Sequence, residues 1–95
     1  MSEDKSIFLE FFESRSLIKI LDFFILFKEF SYTKKEIAKN SGVNWKSFLK
    51  VWSKLIEKKM VISTKIIKNN KLYKLNLKNE FVQQLIKIDN ILCKT

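Results

Sequence analysis

Histidine is absent from this 95-residue sequence, and cysteine occurs once, as Cys93. A lone cysteine excludes an intramolecular disulfide, and without histidine or a cysteine cluster the usual zinc ligand sets cannot be assembled. The same absences remove the Ser–His and Cys–His pairs that activate nucleophiles, and there is no glycine-rich phosphate loop. The sequence therefore predicts a protein that is not an enzyme, binds no metal or cofactor, and works in a reducing, cytoplasmic setting.

Proline is also absent and glycine occurs once, so few residues mark turns. This scarcity favours long helices over a sandwich of short strands. The strongest apolar run, residues 23–27, is bounded by Asp22 and Lys28 and is far shorter than the ~20 residues that span a bilayer. The N-terminus is acidic-leaning with no small-residue cleavage site after it, so we expect neither a membrane span nor a secretory signal.

Lysine is abundant, and its excess is concentrated in the middle of the chain. The formal net charge is +9. Residues 1–30 carry four cations and six anions, residues 31–79 carry thirteen lysines and two glutamates, and residues 80–95 carry two charges of each sign. A basic block between neutral or acidic apolar segments is typical of a polyanion-binding surface, although lysine also serves solubility.

The first predicted helix begins after a frayed or arm-like N-terminal segment. Ser16 is expected to cap this helix, which runs to about Lys28. Its apolar residues recur at spacings of three and four, as on one helical face. They are Leu17, Ile20, Leu21, Phe24 and Phe27.

Two further helices are predicted before residue 60. Thr33 and Glu36 have the spacing of a capping box, which starts a short second helix. Gly42 ends that helix, because glycine most readily takes a left-handed conformation. Asn44 then caps a third helix that runs to about Lys59.

A β-hairpin and a last helix complete the predicted order. Residues 61–68 are rich in β-branched side chains and predict one strand, and the alternating residues 72–77 predict its partner. Asn79 is expected to cap a final helix over residues 80–93. The turn between the strands is predicted at Asn69, Asn70 and Lys71.

This order predicts an α+β, mostly α fold: a winged helix-turn-helix with a β-hairpin wing and a C-terminal dimerisation helix. Residues 1–95 would form one domain, with an N-terminal arm (1–15), a DNA-binding core and wing (16–79) and a C-terminal helix (80–95). An ordinary helical hairpin with a glycine stop is the plainer alternative. The strand pair and the charge block argue against that alternative.

The third helix is predicted to enter the major groove of double-stranded DNA. Lysine in its first turns can contact guanine or phosphate, and asparagine can pair with adenine. A cationic hairpin tip would reach the backbone or minor groove, and lysines at the start of the second helix favour a phosphate. A solvated helix face and a polar turn are the competing interpretations. The predicted DNA-binding residues are Thr33, Lys34, Lys35, Asn44, Trp45, Lys46, Ser47, Lys50, Lys54, Lys68, Asn69, Asn70 and Lys71.

The two tryptophans of the third helix allow a second interpretation. Trp45 and Trp52 could stack the bases of a single strand. Helical periodicity instead places both with Leu49 and Ile56 on the broad apolar side, so we expect core or helix packing.

The last helix carries a narrow apolar stripe, at spacings of four, three and four, like that of a coiled coil. It could fold back on the first helix or pair with a second chain. Phenylalanines near the N-terminus add apolar surface that a small monomer would struggle to cover. A homodimer is favoured, with an interface predicted at Phe8, Phe12, Phe81, Leu85, Ile88 and Leu92.

Short blocks along the chain carry a family resemblance: residues 17–23 (LIKILDF), 35–38 (KEIA), 41–43 (SGV), Val51 and Trp52 with Leu55, 72–76 (LYKLN) and 85–89 (LIKID). From Ser16 onward the chain resembles the small archaeal winged-helix regulators, within the broad group that includes the ArsR-like repressors. The resemblance implies a dimeric DNA-binding transcription regulator with recognition residues around 44–50. Metal-sensing members use cysteine and histidine ligands, which this chain lacks apart from Cys93.

Other functions remain open besides the favoured transcription regulator. Arg15 is the only arginine, which favours a low-specificity architectural or partition protein, because bidentate base reading prefers arginine. A winged helix used only for protein–protein contacts is a third possibility. That role would require apolar patches where the sequence predicts lysines.

Overall fold

The computed structural model describes residues 14–94 and shows an α+β arrangement that is mostly helical. Within those residues, four helices accompany one two-stranded antiparallel hairpin, which confirms the predicted class and order and is compatible with a winged helix-turn-helix. Phe8, Phe12 and most of the predicted arm lie outside the described residues. The elements are α1 (Arg15–Leu26), α2 (Lys34–Ser41), α3 (Trp45–Glu57), β1 (Val61–Ile67), β2 (Asn70–Leu75) and α4 (Glu80–Lys94).

Helix α1 starts two residues earlier than predicted. The Ser14 hydroxyl, not that of Ser16, accepts the capping hydrogen bond, from the Leu17 amide at 3.2 Å. Because the capping residue stands just before the helix, with Ser14 as the cap Ser16 already lies in the first helical turn. The helix ends at Leu26 rather than Lys28, where Phe27 takes a non-helical conformation and its ring lies 5.3 Å from that of Phe23.

The hydrophobic core is built around α1, as predicted. Ile20 and Phe24 are completely buried, and they pack with Phe48 of α3 and Leu75 of β2 in one cluster. Phe27, predicted on the same face, is instead 43% exposed because the helix has ended before it.

The junction between α2 and α3 follows the sequence prediction closely. The Thr33 hydroxyl accepts from the Glu36 amide at 3.2 Å, and the Glu36 carboxylate accepts from the Thr33 amide at 2.8 Å. Gly42 has φ of +74°, and the Val43 amide donates across it to the Ala38 carbonyl at 3.0 Å, closing a Schellman motif. The predicted cap of α3 is also confirmed, since Asn44 Oδ1 accepts from the Ser47 amide at 2.9 Å.

The C-terminus of α3 differs from the prediction. The helix ends at Glu57, and Lys59 takes a left-handed conformation with φ of +57°. The Lys59 amide donates a hydrogen bond to the Ile56 carbonyl, and the Met60 amide donates one to the Leu55 carbonyl, both 3.0 Å long. Together they make a second Schellman motif, without glycine. No glycine follows Glu57 in the sequence, so the usual signal for such a helix end is missing.

The hairpin turn lies one to two residues earlier than predicted. Its two central residues are Lys68 and Asn69, with φ of +49° and +69°, so the loop is a two-residue type I′ turn. Asn70 and Lys71 belong to β2, where they pair with Ile67 and Ile66. Both strands accordingly end earlier than predicted, at Ile67 and Leu75.

A single-residue β-bridge, which the sequence did not reveal, joins the loop before α2 to the hairpin. Tyr32 and Tyr73 exchange both backbone hydrogen bonds, each 2.8 Å long. Beside them, the Thr64 hydroxyl donates to the Ser31 hydroxyl at 2.9 Å, at the irregularity between Ser63 and Lys65. The start of α2 is thereby held against the hairpin.

The Asn79 side chain links helix α4 to the residues that follow α3. Asn79 Oδ1 accepts from the Val82 amide at 3.0 Å, which confirms the predicted cap. Its Nδ2 donates to the Lys58 and Lys59 carbonyls at 3.0 and 3.1 Å. Asn76 Nδ2 also donates to the Lys59 carbonyl, at 2.8 Å.

Candidate nucleic-acid interface

Helix α3 has a buried side and a basic exposed side. Phe48 and Leu55 are fully buried, and Val51 and Trp52 nearly so. The side chains of Lys46, Lys50 and Lys54 are exposed, as predicted. Apolar and charged side chains lie on different sides of α3 because its apolar residues recur at spacings of three and four.

A groove on the hairpin side of α3 brings together predicted residues that are far apart in sequence. Lys34 and Lys35 come from the start of α2, Trp45 from the start of α3, and Lys71 from β2. Thr33, Asn69 and Asn70 complete the predicted part of its lining. Three lysines from two elements, α2 and β2, thus share one open groove.

Tyr73 also lines the hairpin-side groove, although it was not predicted as a site residue. Lys34 Nζ lies 6.0 Å from the centre of the Tyr73 ring, within the range of a cation–π contact. The alternation of β2 placed Tyr73 in a strand, but it did not show that Tyr32 pairs with Tyr73 and so brings the loop before α2 beside the hairpin.

A second groove lies on the opposite flank of α3, against the start of α1. Ser47, Lys50 and Lys54 line it together with Ser14 and Ser16. The two serines were not predicted as site residues, since nothing in their local sequence links them to α3. The exposed basic side of α3 therefore has a groove on each flank, each lined by at least two lysines.

Stacked aromatic rings hold α3 in position. Trp45 stacks on Phe48 with ring centres 5.1 Å apart, and Phe48 stacks on Trp52 at the same distance. Trp52 meets Tyr73 edge-on at 4.9 Å. The series runs from the surface of α3 into the contact with the hairpin.

The two tryptophans, both expected to make core or helix packing, differ in burial. Trp52 is 5% exposed, whereas Trp45 is 44% exposed. Leu49 and Ile56, also predicted on the apolar side, are 45% and 42% exposed. Trp45, Leu49 and Ile56 form one edge of the helix, which no other element in residues 14–94 covers fully, because the core needs only the strip centred on Phe48 and Leu55.

Capping contacts engage the side chains of two predicted site residues, and the Glu36 carboxylate affects two more. Asn44 Oδ1 already accepts from the Ser47 amide, so bidentate pairing with adenine would require the cap to break. The Thr33 hydroxyl is likewise used by the Glu36 amide. The Glu36 carboxylate lies at the N-terminus of α2, where Lys34 and Lys35 were expected to favour a phosphate, and its negative charge opposes an anion there.

The hairpin tip contributes unevenly to the hairpin-side groove. Asn69, Asn70 and Lys71 line it, whereas Lys68 is exposed at the turn and is not among its lining residues. Of the two residues at the tip of the turn, only Asn69 therefore faces the groove.

Comparison with protein-family models, curated proteins and solved structures finds no match to this chain. The resemblance to winged-helix regulators consequently stays a prediction. Within residues 14–94 no helix is long and apolar enough to cross a membrane, and no group of three or more acidic, cysteine or histidine residues could hold a metal ion.

The predicted dimer residues divide into two kinds. Phe81 and Leu85 are half-buried and pack against the core cluster, so much of their apolar surface is covered within the chain itself. Ile88 and Leu92 are 49% and 67% exposed. All four line an open apolar groove between α1 and α4, whose other side includes Ile18 and Ile25.

Proposed function

We propose that this protein is a winged helix-turn-helix transcription regulator that binds double-stranded DNA, with α3 in the major groove and the hairpin as the wing. The observation that supports it best is the pair of lysine-lined grooves on the two flanks of α3. A helix in the major groove meets a phosphate backbone on each side, so cations are needed on both flanks of the helix.

The dimensions agree with this placement. A helix with its side chains is about 10–12 Å across, and the major groove of B-DNA is about 12 Å wide. One backbone would then lie against Lys35 and Lys71, and the other against Lys50 and Lys54. Lys46, on the outward side of α3, would point toward the base edges or the nearer phosphates.

The fold also favours a rigid reading helix. Trp45, Phe48 and Trp52 stack along α3, and the edge-on contact of Trp52 with Tyr73 packs the helix against the hairpin. Because a preorganised surface loses less conformational entropy on binding, more of its contact energy appears as affinity.

We further propose that the active form is a homodimer that pairs through the exposed apolar side of α4. The exposure of Ile88 and Leu92 supports this assignment. A two-fold dimer could place two copies of α3 in successive major grooves, about 34–36 Å apart on one face of the DNA.

A fluorescence-anisotropy titration of a random duplex at two salt concentrations tests the function. Lys46→Ala combined with Lys50→Ala should weaken binding and lower the slope of log affinity against log salt by about 1–2, because each lost phosphate contact removes about one unit. The matched control is Lys19→Ala combined with Lys87→Ala, which removes the same charge from exposed positions on α1 and α4. Equal effects of the two pairs would contradict the assigned face, and no duplex binding at low salt would contradict the function.

A low-specificity architectural or partition protein is the second candidate. It is favoured by the single arginine in the chain and by the engagement of Asn44 in its cap, since both limit bidentate base reading. A selection from random duplexes separates the two candidates. A regulator should enrich a defined site by about a thousandfold or more over random DNA, whereas an architectural protein should enrich none.

A further inference from the structure

An apolar edge runs along α3 beside its lysines. Trp45 and Leu49 are about 40° apart around the helix, since each residue turns by about 100°. They are 44% and 45% exposed, although both are large apolar side chains. Lys46 and Lys50 follow them directly in sequence and lie farther round on the exposed side of the helix.

The lysines around this edge indicate what kind of partner it fits. Trp45 lines the same groove as Lys34, Lys35 and Lys71. A purely apolar protein partner would have to bury several of these charges, which is costly without paired anions. A partner that presents phosphates on both flanks and small apolar groups between them would match both kinds of side chain.

Double-stranded DNA has one apolar group at the edges of its bases in the major groove, the C5 methyl group of thymine. We propose that Trp45 and Leu49 contact thymine methyl groups, so that the protein prefers sites with thymine at the positions facing the first two turns of α3. This inference rests on the proposed DNA binding. It adds which base feature is read and which residues read it.

The surrounding structure supports an apolar reading mode. The Asn44 side-chain oxygen is engaged by the Ser47 backbone amide in the helix cap, and the only arginine in the sequence lies outside α3. Trp45 is backed by Phe48, with ring planes only 14° apart, so its indole is held on the surface rather than free to fold away. Trp45 and Leu49 thus offer apolar surface at the start of α3, where Asn44 is engaged in its cap and arginine is missing.

Replacing thymine by deoxyuridine in an A·T-rich duplex tests the inference, because it removes the methyl groups and leaves every phosphate and hydrogen-bonding group in place. Affinity should fall about fourfold for each contacted methyl, the effect of exposing one buried methyl-sized group. The salt dependence should stay unchanged, since no phosphate contact is lost.

Leu49→Ala and Trp45→Phe should each reduce the preference for the thymine duplex, with circular dichroism confirming that both variants are folded. Leu26→Ala is the matched control, because Leu26 is 65% exposed at the end of α1, and it should keep the full preference.

The outcomes distinguish the inference from the function beneath it. Equal affinity for thymine and deoxyuridine duplexes would overturn the methyl contact and leave DNA binding standing. Tighter binding to a single strand than to the duplex, lost in Trp45→Ala, would overturn it in favour of base stacking. Failure to bind any duplex at low salt would overturn the proposed function and this inference together.

Discussion

Within residues 14–94, three residues other than glycine have positive φ: Lys59, Lys68 and Asn69. The sequence contains one glycine, which is used at Gly42, so every other left-handed position must be filled by a residue with a Cβ atom. At Gly42 an added Cβ would meet nothing within 4 Å, so the need for glycine there comes from φ alone. A lysine in the left-handed region costs about 1–2 kcal/mol of stability. Lysine does not favour this conformation, so residue type alone could not predict left-handed backbone at Lys59 and Lys68.

Lys59→Gly is therefore expected to stabilise the protein. It relieves the left-handed strain at the end of α3, and this gain exceeds the extra entropy of glycine in the unfolded chain by about 0.5–1 kcal/mol. Urea unfolding followed by circular dichroism measures the change. Lys59→Ala removes the same charge and keeps a Cβ, so it should change stability little, and an equal gain in this control would assign the effect to charge.

Among the elements, the helix caps were the most predictable features. Thr33, Asn44 and Asn79 each satisfy an amide three residues ahead, so the whole interaction is visible in a short sequence window. The pairing of Tyr32 with Tyr73 joins residues far apart in sequence. Tyr32 is the single residue that pairs from its segment, so no alternating strand pattern marks it in the sequence. Yet this pairing helps to form the hairpin-side groove.

Asn79 connects two elements through its two side-chain atoms. Asn79→Asp keeps the oxygen that caps α4 and adds a charge that the helix N-terminus favours. It loses the donor to the Lys58 and Lys59 carbonyls and sets an anion against them, so we expect a net destabilisation of about 1–2 kcal/mol in thermal or urea unfolding.

The matched control for Asn79→Asp is Asn44→Asp, because Asn44 also caps a helix through Oδ1. The Asn44 cap uses Oδ1, which aspartate keeps, so this substitution should leave stability nearly unchanged or raise it. Similar losses in both variants would show that the link between α3 and α4 contributes little.

At the scale of the whole molecule, the location of the basic surface was only partly predictable. The charge block in residues 31–79 identified which segment carries it. It could not show that Lys35 and Lys71 share one flank of α3 while Lys54 lies on the other. That division depends on tertiary packing, and so does the exposure of Trp45 and Leu49, which periodicity alone placed on the broad apolar side of α3.

The proposed dimer can be tested without disturbing the core. Ile88→Asp combined with Leu92→Asp should convert the dimer to a folded monomer in sedimentation velocity, because charges would be buried without partners in the interface. Phe81 and Leu85 are unsuitable for this test, since they pack on the core. Gln84→Asp combined with Asn90→Asp adds the same charge at exposed positions of α4 and should leave the dimer intact.

The unequal burial of the two tryptophans gives the protein a built-in optical reporter. Trp52 is enclosed, whereas Trp45 faces solvent at the proposed interface, so the two indoles emit from different environments. A ligand seated on α3 would alter the emission of Trp45 and leave that of Trp52 nearly unchanged. Occupancy of this face can consequently be followed in the unlabelled protein, separately from unfolding, which would expose both rings.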